Sequence, residues 1–143
     1  MVKAIAIFFI ILSLQPQSST GQSKDEKAIR NILLEQTAAW NNGNINNFMK
    51  GYWDRDSLMF IGKSGITYGW EKTLKNYKRG YPDTTQMGKL HFSLIQLKKI
   101  SGNYFYVVGE WKLIRTIGNL AGTFTLLFRK INNTWVIVID HSS

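Results

Sequence analysis

From residue 87 to the end the hydrophobic periodicity is close to two, and this is what most limits the folds open to the chain. The segments "GKLHFSLIQLKKI", "NYFYVVGEWKLIRTIG", "AGTFTLLFRKI" and "TWVIVIDHSS" are four long strand candidates, separated by "SGN", "GNLAG" and "NNT", which are turns of hairpin length. Long strands joined by tight hairpins make an antiparallel meander, and a meander with apolar residues on one face needs a cover. The first half of the chain supplies it as helices, so the order is helices first and strands after, an α+β layout.

The helices are legible from caps and spacing. Ser23 with Glu26 three residues on has the form of a capping box, and Ile29, Leu33 and Trp40, flanked by Ile32 and Thr37, make a helical stripe running to about Asn41. Gln36 falls on that stripe as an inward polar group. "NNGN" then supplies a glycine stop and a new cap at Asn44, and "INNFMKGYW" reads as a short second helix ending near Gly51. "DSLMFIG" is a strand candidate, with "KSGITYG" as a turn and a short returning strand. Trp70, Leu74, Tyr77 and Tyr81 follow at helical spacing, a third amphipathic helix that Gly80 and Pro82 end.

Composition narrows the class. The 143 residues are 44% hydrophobic and 13% aromatic, enough for one globular domain. The absence of cysteine excludes disulfides, zinc thiolate sites and thiol nucleophiles. The opening stretch has a basic residue at Lys3, an apolar run from Ala4 to Leu14, and small residues Ser19 and Gly21 placed for cleavage, the pattern of a secretory signal peptide over 1–21. That run falls short of the roughly 20 residues a spanning helix needs, so no stable membrane insertion is expected after cleavage.

The expectation is a single domain over 22–143 that is exported, to a periplasm or to the medium. The formal charge of +9 becomes +8 when Lys3 is removed, 17 basic against 9 acidic residues. The basic residues are dispersed in pairs such as Lys78-Arg79, Lys98-Lys99 and Arg129-Lys130, a solvated basic surface that favours anions in general. No basic tract interleaved with aromatics is present, so no nucleic-acid partner is expected.

The first helix with "WNNGN", the short second helix, "DSLMFIGKSGITYGW", the third helix and four closing strands ending "WVIVIDHSS" together resemble the nuclear transport factor 2-like superfamily. The likeness spans about residues 24 to 143 and is nearest to the SnoaL-like branch called domain of unknown function 4440. It extends to the association domain of calcium/calmodulin-dependent protein kinase. The resemblance implies a cystatin-like cone: three N-terminal helices packed on a strongly curved antiparallel sheet, a pocket between them, and a homodimer formed through the sheet in many members. Members include isomerases, dehydratases, polyketide cyclases and plain binding or assembly modules, so the fold leaves function open.

Three sets of residues are candidates for that pocket. In a regular closing strand Trp135, Ile137, Ile139 and His141 share one face and Val136, Val138 and Asp140 the other, so adjacent Asp140 and His141 cannot form a dyad. The kinase association domain has a cavity-facing histidine at the place of His141, which the resemblance therefore puts at the pocket as the candidate general acid or base. Asp140 is then structural, bonding a neighbouring strand or loop. His91 has no face assigned by the alternation around it.

On "GEWKLIRT", Trp111, Leu113 and Arg115 share a face. Arg115 is either a bidentate clamp for a ligand carboxylate or a structural ion pair. Among the aromatic residues, most of which belong to the core, Trp40, Trp70, Tyr77 and Trp111 are assigned to the pocket lining, with Gln36 as its inward polar contact.

Ketosteroid isomerase chemistry is the concrete enzyme alternative on this fold. Laid on this chain, the family's pattern puts Gly62 where the catalytic base belongs and Gln36 where the tyrosine donor belongs, so that mechanism is not expected. Proton transfer by His141, Asp56 or Glu110 stays open. Two distant histidines and no carboxylate cluster suggest no metal, and no phosphate loop or dinucleotide fingerprint suggests a cofactor.

The functional expectation is an exported small-molecule-binding domain for a small organic ligand, an anion being one candidate, with Arg115 and His141 as polar contacts. The alternatives are a cofactor-independent lyase or isomerase using His141, and a dimeric assembly module with a vestigial pocket.

Overall fold

The computed structural model describes residues 22–143, and the segment read as a signal peptide lies outside them. Helix α1 (Lys24–Asn41) starts on the capping box: the Glu26 amide donates to Ser23 Oγ at 3.1 Å and the Ser23 amide to the Glu26 carboxylate at 3.3 Å. Its buried stripe is Ile29, Leu33, Gln36 and Trp40. Asp25, in its first turn, accepts from Lys130 Nζ at 2.9 Å and Trp135 Nε1 at 3.0 Å, fastening the start of the helix to the sheet. Those hydrogen bonds and the Lys130 charge hold the Asp25 carboxyl below its ordinary range.

After Gly43, whose φ of 72° turns the chain, α2 (Ile45–Phe48) is capped by Asn44 and continues into a 3₁₀ turn over Met49–Gly51. Strands β1 (Met59–Gly62) and β2 (Gly65–Tyr68) form a hairpin, and α3 (Trp70–Gly80) follows. A fourth helix, α4 (Thr84–Met87), adds one turn that the sequence reading left out. Its signals are Asp83, whose Oδ1 accepts from the Gln86 amide at 2.8 Å, and the stop at Gly88. A four-residue helix is too short to show a periodicity.

The meander is β3 (Lys89–Ser101), β4 (Tyr104–Ile114), β5 (Leu120–Ile131) and β6 (Thr134–Ser142). The six strands form one sheet in the order β2-β1-β6-β5-β4-β3, antiparallel throughout except for the β1–β6 pair. Trp53 donates its amide to the Ile137 carbonyl at 2.9 Å, so the segment before β1 already runs beside β6.

The pairing has three irregularities, one of them near the β3–β4 turn between Lys99 and Ser101, and the other two shape the sheet around the cavity. In β3 the pairing with β4 slips between Leu94 and Gln96, which leaves Ile95 unpaired and exposed. In β6 the pairing with β5 slips between Ile137 and Ile139, opposite the consecutive residues Phe128 and Leu127, so Val138 is the extra residue of a bulge. Such bulges bend their strands. Gly109 sits at the first bend because the Phe124 ring crosses its backbone, 2.5 Å from where a Cβ would be. The concave side packs Phe105, Val107, Leu113, Phe124, Leu126, Phe128, Trp135 and Ile137 against the α1 stripe, Phe48, Met49 and Leu58.

Candidate functional site

The concave face does not close completely on the helices. It leaves a cavity of about 600 Å³, counting the space at its open mouth. Gln36 and Trp40 line it from α1, Phe48 from α2, Tyr52 from the segment after the 3₁₀ turn, Phe60 from β1, and Tyr77 and Tyr81 from α3 and its end. The meander adds Leu90 and Phe92 of β3, Trp111 and Leu113 of β4, Phe124 and Leu126 of β5, and Asp140 and Ser142 of β6. Nine of these fifteen residues are aromatic. The rings also hold one another: Tyr77 meets Trp40, Phe48 and Phe60 edge-on, with centroids 5.9, 5.3 and 5.6 Å away.

The polar centre of this wall is Asp140. Only 3% of it is exposed, with Tyr52 Oη donating to Oδ2 at 2.7 Å and Ser142 Oγ to Oδ1 at 2.7 Å. Burial pushes its carboxyl from the usual 3.8 to about 6, against the two hydrogen bonds and the neighbouring His141, which pull the other way. Tyr77 Oη lies 3.4 Å from Tyr52 Oη. A phenol has one proton, and Tyr52 gives its proton to the carboxylate, so Tyr77 donates to Tyr52 and the chain of donors runs toward Asp140. Burial first and the Asp140 charge second raise both phenols well above their ordinary range, keeping them protonated.

The bulge at Val138 decides which residue of the closing strand reaches this cavity. Before it, Trp135 and Ile137 face inward. After it, the phase is inverted, and Val138, Asp140 and Ser142 face inward while Ile139 and His141 face out. The register agrees, since Asp140 pairs with Leu126 and Phe60 and Ser142 with Phe124, all of them lining residues. The expected places of His141 and Asp140 are therefore exchanged: His141 is exposed, beside Thr125 and Ile61 on the outer side, and Asp140 is the cavity group.

The remaining sequence candidates divide. Gln36, Trp40, Tyr77 and Trp111 line the cavity. Gln36 Nε2 donates to the Phe48 carbonyl at 3.1 Å and Trp40 Nε1 to the Met87 carbonyl at 3.1 Å. The buried Trp111 Nε1 has no acceptor among the described residues.

Trp70 is outside the lining, its indole N–H spent on the Met49 carbonyl at 2.9 Å. Arg115 lies just beyond β4 and is likewise outside the lining. Its Nε donates to the Gly118 carbonyl at 2.7 Å and its Nη1 to the Gln86 carbonyl at 3.2 Å, so it ties the β4–β5 turn to α4. Asp56, Glu110 and His91 are exposed, and Gly62 lies at the β1–β2 turn. Sequence reasoning missed six aromatic residues of the lining: Tyr52, Phe60, Tyr81 and Phe124 were counted with the core, and Phe48 and Phe92 were not singled out. Tyr81 shares the helical spacing of Tyr77 and could have been found from it, whereas periodicity alone does not separate the others from ordinary packing.

A bent, mostly antiparallel sheet wrapped over an N-terminal helix, with an aromatic cavity between them, defines the class as a cystatin-like cone. No protein-family model and no curated protein matches the chain. Among solved structures, an NTF-2-like protein of unknown function from Shewanella oneidensis MR-1 is 40% identical, with a TM-score of 0.80 over 83% of this chain and 98% of that one. A domain of unknown function with a cystatin-like fold from Nostoc punctiforme is 14% identical, with a TM-score of 0.72 over 86% and 78%. A ketosteroid isomerase-like protein from Erwinia carotovora atroseptica is 13% identical, with a TM-score of 0.65 over 85% and 97%. The latter two share the fold. On the first, the chain belongs to the NTF2-like family.

Proposed function

We propose that the protein is an exported, homodimeric member of the SnoaL-like branch whose cone binds a small, largely apolar organic molecule, with Asp140 as its polar contact. The observation that carries this reading is the buried Asp140 carboxyl, held by Tyr52 and Ser142 in a wall that is otherwise aromatic and aliphatic. A few placed polar groups in an apolar concavity are what a small-molecule site needs. A thermal-shift screen of single-ring and fused-ring compounds tests it: a compound present at a hundred times its dissociation constant adds roughly 2.7 kcal/mol. The shift should shrink when Leu126→Trp fills the cavity. A screen that leaves the melting temperature unmoved by every compound counts against a binding cone.

The enzyme reading has one specific support. A carboxyl that keeps its proton to about pH 6 exchanges it readily near neutrality, which suits a cofactor-independent lyase or isomerase. In that case the role assigned to His141 passes to Asp140, and Asp140→Asn would abolish turnover even at saturating concentrations of a compound the variant still binds.

The dimer is supported by the outer face, where Tyr68, Met59, Ile139, Leu127 and Tyr106 follow one another across five strands as register partners. Tyr68 is 56% exposed and Ile66 beside it 56%, an apolar row that a second copy of the same row would cover. Export is supported by Lys3, the apolar run and the small residues before residue 22. Protein recovered outside the cytoplasm should start at residue 22 by mass spectrometry and sediment at twice its monomer mass. Recovery only as a monomer, or with residues 1–21 retained, would refute the corresponding part.

A further inference from the structure

We infer that the cavity's ligand is a small organic cation, a protonated amine on a ring or short apolar body, with its ammonium on Asp140 and its body among the aromatic side chains. This rests on the reading of the cone as a ligand site and names the chemistry of what enters it.

The first argument is the charge of the wall. Asp140 is the acid in the lining, and among the described residues no Lys, Arg or His lines the cavity. Arg115 is engaged by two carbonyls outside it and His141 faces away. An anion would be brought against a carboxylate with no cation to offset it. A neutral ligand would leave that carboxylate buried without a counter-ion, an arrangement that costs several kcal/mol in an apolar surround.

Proton counting gives a second argument. Asp140 has about four lone-pair sites, of which Tyr52 and Ser142 use two. The Tyr52 proton is committed to Asp140 and the Tyr77 proton to Tyr52. The polar atoms left around the carboxylate are therefore acceptors, and an ammonium brings up to three donors to them. The neutral donors that remain, Trp111 Nε1, the Tyr81 hydroxyl and the second N–H of Gln36 Nε2, make no hydrogen bond to Asp140 and suit an ether or hydroxyl on the ligand's body.

Third, an aromatic wall favours a cation over a neutral isostere, because a ring face attracts positive charge, by up to about 2 kcal/mol where water is excluded. The basic surface does not cancel this preference. Its charges lie outside the cavity and are screened over about 8 Å at physiological salt, whereas Asp140 meets the ligand directly.

Three probes on one scaffold test the inference by calorimetry on the intact protein: benzylamine, benzyl alcohol and benzoate. Benzylamine should bind at least about tenfold more tightly than the alcohol, and benzoate most weakly. Asp140→Asn should remove the amine's advantage over the alcohol. If the alcohol binds as well as the amine, or benzoate binds most tightly, the cation assignment is overturned while the binding cone stands. If none of the three binds, the cone reading itself fails and takes this inference with it. The comparison of probes on the unmodified protein holds even where the variant does not fold.

Discussion

Asp140→Asn is expected to make the folded protein more stable above about pH 6 and to flatten its stability between about pH 4 and 6. In the unfolded chain the carboxyl loses its proton near 3.8, and in the folded protein near 6. Between those values the native state holds a proton that the unfolded state has released. Stability of the wild type therefore falls as pH rises through the window and stays low above it. A gap of about two units amounts to on the order of 3 kcal/mol. An amide is not charged at any of these values, so the variant escapes the loss, less about 1 kcal/mol for rearranging the hydrogen bonds of Tyr52 and Ser142.

The phenols packed against Asp140 do not confuse the measurement, and the charge of His141, which acts on Asp140, is removed by repeating it in a His141→Gln background. Tyr52 and Tyr77 titrate well above the usual phenol range, and His141 points out of the cavity. Asp25, whose carboxyl is depressed, contributes stability that is lost only as pH falls below 3.8, outside the window. Urea titrations at unit steps from pH 4 to pH 8 read the effect. A variant that keeps the wild-type slope would show that another group carries it.

Phe128→Ala should cost about 3–5 kcal/mol, a large part of the stability of a domain this size. Phe128 is 0% exposed and stands at the centre of the meander, paired with Phe105 on β4 and with Ile137 on β6 at the last regular pair before the bulge. Its ring is surrounded by residues held by both neighbouring strands, which leaves little freedom to collapse into the space a methyl would leave. The midpoint of urea unfolding measures this. A loss below about 1 kcal/mol would mean that the concave face repacks far more freely than its bulged backbone implies.

How far the fold was legible follows from which signals are local. The capping box, the α1 stripe with Gln36 inside it, the α3 spacing and the hairpin turns each depend on residues a few positions apart, and each stands where the sequence puts it. Trp111 and Leu113 face inward together because β4 alternates without interruption across them. Arg115 shares their parity but lies past the end of the strand, where parity no longer sets direction and carbonyls of the β4–β5 turn and of α4 capture the guanidinium. Helix α4 escaped because one turn has no period.

The closing strand is where the local signal ran out. In "WVIVID" both faces are apolar, since Val136 and Ile139 belong to the outer row while Trp135 and Ile137 belong to the core. A run apolar on both sides has no polar residue to mark a change of phase. The extra residue is therefore absorbed silently at Val138, and every residue after it changes face.

By itself, the sequence determined the order of helices and strands, the antiparallel meander and the first helix's inward residues, because these follow from short-range periodicity and caps. Only the tertiary structure decided that Asp140 and not His141 enters the cavity. That choice depends on how β6 registers between β5 and β1, and on Tyr52 arriving from 88 positions earlier in the chain to hold the carboxyl.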